Sequence, residues 1–153
     1  MTTPLKTIRT LDEARQLIKE GKPQDALDML ARHPEGGPEI LNMRGVCLLR
    51  TGKASKALDL FRPLVFPGGF CLDTSAPLIY LTNYATALLL VGNVLIACET
   101  IAQVPDQRHE AVLRLRGALA RWKNGLNFFR RILLPLGLYP DVPVELDSPI
   151  GDI

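Results

Sequence analysis

The chain has 153 residues, a formal charge of +2, 47% hydrophobic residues and 22% charged ones. That is the balance of one ordinary globular domain with enough chain to bury a core. So small a charge does not by itself imply nucleic acid, and three scattered cysteines, Cys47, Cys71 and Cys98, give neither a disulfide framework nor the Cys-x-x-Cys spacing of a zinc site.

The cysteines read as reduced thiols of a cytoplasmic protein, and Met1–Lys6 lacks the apolar core of a secretory signal. Residues 1–9 are expected to form an N-terminal arm. Thr10-x-x-Glu13 reads as a capping box that opens a helix over 10–20. Pro23, Pro38 and Pro77 each stand where a first helical turn tolerates proline, predicting helices over 23–32, 38–50 and 77–91. Further helices are expected over 54–65, 93–103, 107–123 and 126–134, with Pro67-Gly68-Gly69 as a loop signal. The run Thr74–Cys98 carries no charge and matches the roughly 20 residues of a membrane span in length. Gly92-Asn93 in that run favours a buried helix–turn–helix pair over a span.

Three segments repeat one pattern. Gly21, Gly52 and Gly92 are each followed five residues later by Ala26, Ala57 and Ala97, and four further on by Leu30, Phe61 and Ile101. Seven residues before each glycine stands a small residue (Ala14, Gly45, Ala85), with Leu17, Leu48 and Leu88 three positions on. The small residue lets two helices approach, the apolar one lies a turn away on the same face, and glycine ends the first helix in the left-handed conformation. Each unit is a helical hairpin with one stripe that only a neighbour can bury.

Gly45, Gly52, Ala57 and Phe61 carry a resemblance to the tetratricopeptide-repeat family, which extends over roughly Thr10–Pro135. Leucine stands where that family places an aromatic, at Leu17, Leu48 and Leu88, and the spacings of 31 and 40 residues bracket the family period of about 34. The resemblance implies an all-α, right-handed α-α superhelix of about three and a half to four helical hairpins over 10–136, followed by an extended, acidic, proline-rich tail over 137–153. In the last unit Gly117 takes the small position, while Asn124-Gly125 and Phe129 depart from the pattern, as in a terminal cap.

The resemblance also implies a groove for a peptide along the first helices of the hairpins. Counting from the four small residues places Leu11, Arg15, Ile18 and Lys19 on it, then Asn42, Val46, Leu49 and Arg50, then Thr82, Thr86, Leu89 and Leu90, and finally Arg114, Ala118, Arg121 and Trp122. The groove is thus apolar in the middle and basic at both ends. The lysine–asparagine clamp by which some family members hold a terminal carboxylate has no counterpart at Leu11 and Arg15.

Residues 107–131 hold seven basic residues against one acid, Glu110, whereas 132–153 hold four acids and no base. Pro140, Pro143 and Pro149 keep the tail from continuing a helix, so Tyr139–Ile153 is expected to fold back on Arg114 and Arg121 as an intramolecular or swapped pseudo-ligand. A second feature is Val94-Leu95-Ile96: where the preceding repeat carries Lys53 and Lys56, this one carries Asn93 and Ile96, with Val94 and Leu95 between. It is a candidate interface on the convex side.

No glycine-rich phosphate loop or nucleophile elbow is present, and His33 and His109 fall near helix junctions. The expectation is a protein that is not an enzyme and needs no metal or cofactor: an adaptor or chaperone-like module binding an acidic protein or peptide segment, with no membrane partner. A structural subunit, such as a homodimer assembled around Ile96, is the alternative. Nucleic-acid binding through the basic stretch 108–131 is the lesser one.

Overall fold

A computed structural model describes residues 4–33 and 37–153. Among them the chain forms α1 (Pro4–Lys19), α2 (Pro23–Ala31), α3 (Gly37–Arg50), α4 (Ala54–Val65), α5 (Leu78–Leu90), α6 (Val94–Gln103), α7 (Glu110–Gly125) and α8 (Phe128–Leu133). A single 3₁₀ turn over Leu134–Leu136 follows, and the described residues contain no strand. The protein is all-α. Seven helices lie within three residues of their expected bounds, and the first does not.

Helix α1 begins six residues before the proposed capping box. The arm expected over 1–9 is therefore helical from Pro4, and residues 1–3 lie outside the described ones. Thr10 is inside the helix, where its hydroxyl donates to the Lys6 carbonyl at 2.9 Å. A threonine that satisfies itself on the preceding turn can sit mid-helix, and Glu13 pairs with Arg9 one turn back.

The three turn glycines do what their spacing requires. Gly21, Gly52 and Gly92 have φ of +75°, +74° and +82°. At each, the next residue's N–H reaches back five residues: Lys22 to Leu17, Lys53 to Leu48, and Asn93 to Leu88. This is the Schellman closure, which satisfies carbonyls that the helix end leaves open. The chain then reverses at once, so α1–α2, α3–α4 and α5–α6 are helical hairpins in direct contact.

The pattern residues supply the packing. Ala14, Ala26, Ala57, Ala85, Ala97, Leu30 and Phe61 are fully buried. Gly45 faces the Phe61 ring so closely that any Cβ there would penetrate the ring's van der Waals envelope. Hairpins then stack: α2 packs on α3 and α4 on α5, while α1, α3, α5 and α7 touch in succession. Helix α5 sits inside the stack, and every residue from Tyr80 to Leu89 is buried. That burial accounts for the uncharged run. No described helix is long and apolar enough to cross a membrane.

The fourth unit departs from expectation. Helix α7 packs on α5 and α6, but α8 has no buried residue and makes its main contacts with the 3₁₀ turn after it. Phe128 and Phe129 are 71% and 78% exposed. Phe129 occupies the position that an alanine holds in the other units, and a phenylalanine there is too bulky for close approach to α7. The expected capping hairpin is thus a solitary helix followed by a short projecting one.

Replacing Gly45 by alanine tests the hairpin geometry. Alanine favours a helix interior by about 1 kcal/mol, yet overpacking against Phe61 is expected to destabilise by about 1–3 kcal/mol in net. Denaturant unfolding should show a lower midpoint, partly restored by adding Phe61→Leu.

Candidate functional site

The tail leaves the 3₁₀ turn at Gly137, which has φ of +74°. There Gly137 N–H donates to the Leu134 carbonyl and Leu138 N–H to that of Leu133. From Leu138 onward the chain is neither helix nor strand. A tight turn closed by Val142 N–H on the Pro140 carbonyl at 2.9 Å brings it against α7, and it then crosses α7, α5 and α3.

Five side chains hold it. The Trp122 indole N–H donates to the Val142 carbonyl at 2.8 Å. Arg121 pairs with Asp147 at 2.8 Å, and Arg114 pairs with Asp152 while also reaching Glu110. Arg50 donates from Nε to the Ile150 carbonyl and from Nη2 to that of Gly151, each at 3.0 Å. The fifth, Asn83, binds both backbone groups of one residue. Its Oδ1 accepts from Asp152 N–H at 2.8 Å and its Nδ2 donates to the Asp152 carbonyl at 3.0 Å. A backbone N–H can only donate and a carbonyl only accept, so this pair fixes which way the amide faces.

These contacts differ in weight. The Arg121–Asp147 pair is more than half exposed on both sides, and such pairs add little. Asn83 is fully buried, and Nδ2 also donates to Asn42 Oδ1 at 3.0 Å. Unpaired, that amide would cost about 1–3 kcal/mol. Burial pushes the Arg50 guanidinium below its ordinary value, with Cys47 and Asp152 acting against the shift. It stays a cation, and its fork suits two adjacent carbonyls. Apolar contacts complete the seat: Val144 is buried, Ile150 packs on the main core, and Ile153 packs where that core meets the smaller one beneath α1–α3.

Most of the residues proposed for a groove come together here. Val46 and Leu49 lie under Gly151. Thr86 lines a small cavity beneath the tail with Arg114 and Ala118, and Leu89 and Leu90 line another with Pro140–Val144. Asn42, Arg50, Arg114, Arg121 and Trp122 join through the bonds above. Others do not join. Arg15 pairs with Asp12 at 3.0 Å, Lys19 is exposed, and the Thr82 hydroxyl is turned onto the Leu78 and Ile79 carbonyls at 3.2 Å. Leu11 and Ile18 are buried in the smaller core.

The candidate interface is not one patch. Val94 is buried and Ile96 is packed against the core, leaving only Leu95 substantially exposed. With the first turn of α6 capped by Asn93, whose Oδ1 accepts from Ile96 N–H at 3.4 Å, Val94 turns inward. Asn83 was missed because it lies off the positions that the repeat frame assigns to the groove. Its signal was an amide within a stretch of otherwise core-type residues, where a partner is obligatory.

Nothing at this site is arranged for nucleophilic attack. Burial pushes the Cys47 thiol up to about 12, so it packs as a small apolar group. His109 caps α7, its Nδ1 accepting from Ala111 N–H at 3.2 Å. What the site does is hold the irregular tail by its backbone and its acids.

Asn83→Ala should lower the unfolding free energy by about 1–3 kcal/mol, read by denaturant titration. In a chain lacking 138–153 the same change should cost measurably less, because the Asp152 backbone groups it pairs with are gone. A comparison with family models, curated proteins and solved structures finds no match to this chain.

Proposed function

We propose that the protein is a non-enzymatic protein–protein interaction module of tetratricopeptide type, an adaptor or chaperone-like protein. Its groove binds an extended acidic polypeptide segment. On this reading three hairpins and the solitary α7 wind as a right-handed superhelix, with α1, α3, α5 and α7 as the inner wall. The Schellman turns, the small residues at the hairpin contacts and the succession of touching first helices support it. The three free cysteines fit a cytoplasmic setting.

The observation that carries the reading is the buried Asn83 amide gripping the backbone of Asp152. A buried asparagine whose three hydrogen bonds include both backbone groups of one tail residue can serve as a peptide-recognition device, since it reads backbone as a neighbouring strand would. The tail occupies it in cis. Five residues from three helices converge on the tail, with cations facing Asp147 and Asp152, so a guest of the same chemistry would meet the same partners.

A second reading, assembly as a structural subunit, is favoured by a different observation. The exposed Phe128, Phe129, Ile132 and Leu136 form an apolar projection of the kind that marks an interface. That projection, rather than Ile96, would be the contact.

Deleting residues 138–153, with helicity verified by circular dichroism, should raise affinity for an acidic proline-containing peptide by about tenfold or more, because a tethered competitor acts at roughly millimolar effective concentration. Fluorescence anisotropy reads it. Unchanged affinity in a folded deletion variant removes the groove reading.

A further inference from the structure

Resting on the groove reading, we infer that the groove selects its guest by a short motif: an apolar residue, then glycine, then aspartate, then an aliphatic residue. In cis this is Ile150-Gly151-Asp152-Ile153, and in trans the ligand is a segment of another protein with the same order. The prolines and Asp147 set the approach, while these four residues set the identity.

Each position has its own physical reader. Arg50 takes the carbonyls of the first two residues. These bonds require no particular side chain, but they fix where the chain runs. The first position is apolar because Ile150 packs on the main core. The second must be glycine on two independent counts. Its φ is +76°, a conformation that other residues adopt only with strain. A Cβ there would also lie 3.2 Å from Val46 Cγ1 and 3.2 Å from Leu49 Cδ1, both buried side chains with little room to yield.

The third position needs a backbone N–H for Asn83 Oδ1 and a carbonyl for Asn83 Nδ2, which excludes proline. Its carboxylate pairs with Arg114. The fourth is aliphatic because Ile153 packs where the two core clusters meet. The flanking contacts are poor discriminators by comparison. Arg121–Asp147 is exposed and screened by salt, and Trp122 accepts any residue whose carbonyl is placed like that of Val142.

The experiment uses the full chain with its own motif spoiled, Gly151→Ala, so that every groove residue is native and the tail is weakened as a competitor. A fluorescein-labelled nonapeptide with the sequence Glu145–Ile153 is titrated against it, beside versions carrying Gly151→Ala or Asp152→Pro and a scrambled control. The native peptide is expected to bind the spoiled chain roughly tenfold tighter than it binds the unaltered chain, and roughly tenfold tighter than any altered peptide binds the spoiled chain, the scale of a lost buried hydrogen bond or a steric clash. A full-length Asp152→Pro chain is the second receptor, should Gly151→Ala disturb the fold. If the altered and scrambled peptides bind the freed groove as well as the native one, the motif falls while peptide binding stands. If none binds either receptor, the motif and the groove reading fall together.

Discussion

The structure depends on close approach between the two helices of each hairpin. Where Gly45 meets Phe61, and where Ala14, Ala26, Ala85 and Ala97 are fully buried, the helices can come near enough for an apolar stripe to continue from one hairpin to the next. Only then is α5 covered on all sides. An uncharged helix in that position is a core element, not a membrane segment, because its neighbours rather than lipid exclude the water. The turn glycines are the second half of the same constraint. Without a left-handed residue at the reversal, the second helix would leave at another angle and the stripe would break.

Burying α5 creates a difficulty that the tail resolves. The helix carries Thr82, Asn83 and Thr86, and α3 carries Asn42. The hydroxyls satisfy themselves on carbonyls of the preceding turn, as threonine can. An asparagine side chain with one acceptor and two donor hydrogens cannot be satisfied by its own helix alone. Asn42 takes one bond, and the backbone of Asp152 takes two others. Apolar residues at those sites would have made a simpler core. The amide at Asn83 is instead satisfied by backbone, with Arg50 on the two carbonyls before it and Arg114 on the Asp152 carboxylate.

How much could be read beforehand follows from what periodicity records. Glycine-to-alanine spacing marks turns and packing contacts, so the hairpins at Gly21, Gly52 and Gly92 were legible, and counting along the same frame picked out Val46, Leu49, Arg50, Arg114, Arg121 and Trp122, which meet the tail. The complementary charges of 107–131 and 132–153 were legible too, and Asp152 and Asp147 do meet Arg114 and Arg121. Thr10 misled because a capping motif and a mid-helix threonine share one sequence, and only the carbonyl of Lys6 decides between them. Asn83 stayed hidden because a repeat frame counts positions, whereas its role comes from a chain segment 69 residues away. Helix α8 forms where expected but does not close a capping hairpin on α7, for a steric reason, since Phe129 stands where close approach needs a small residue.

A tail seated on the same face that is proposed to bind a partner changes the thermodynamics of that binding. A tethered segment competes at an effective concentration on the order of millimolar, and only the fraction of molecules with the tail released is competent, which lowers the apparent affinity by that fraction. A partner that copied the tail's contacts and no more would bind weakly at cellular concentrations. An effective partner must therefore bring something the tail lacks. The exposed basic residues Arg116, Lys123, Arg130 and Arg131 and the apolar projection of α8 lie beyond the tail's hydrogen bonds and ion pairs. A longer acidic guest that reached them would gain contacts that the tail does not use.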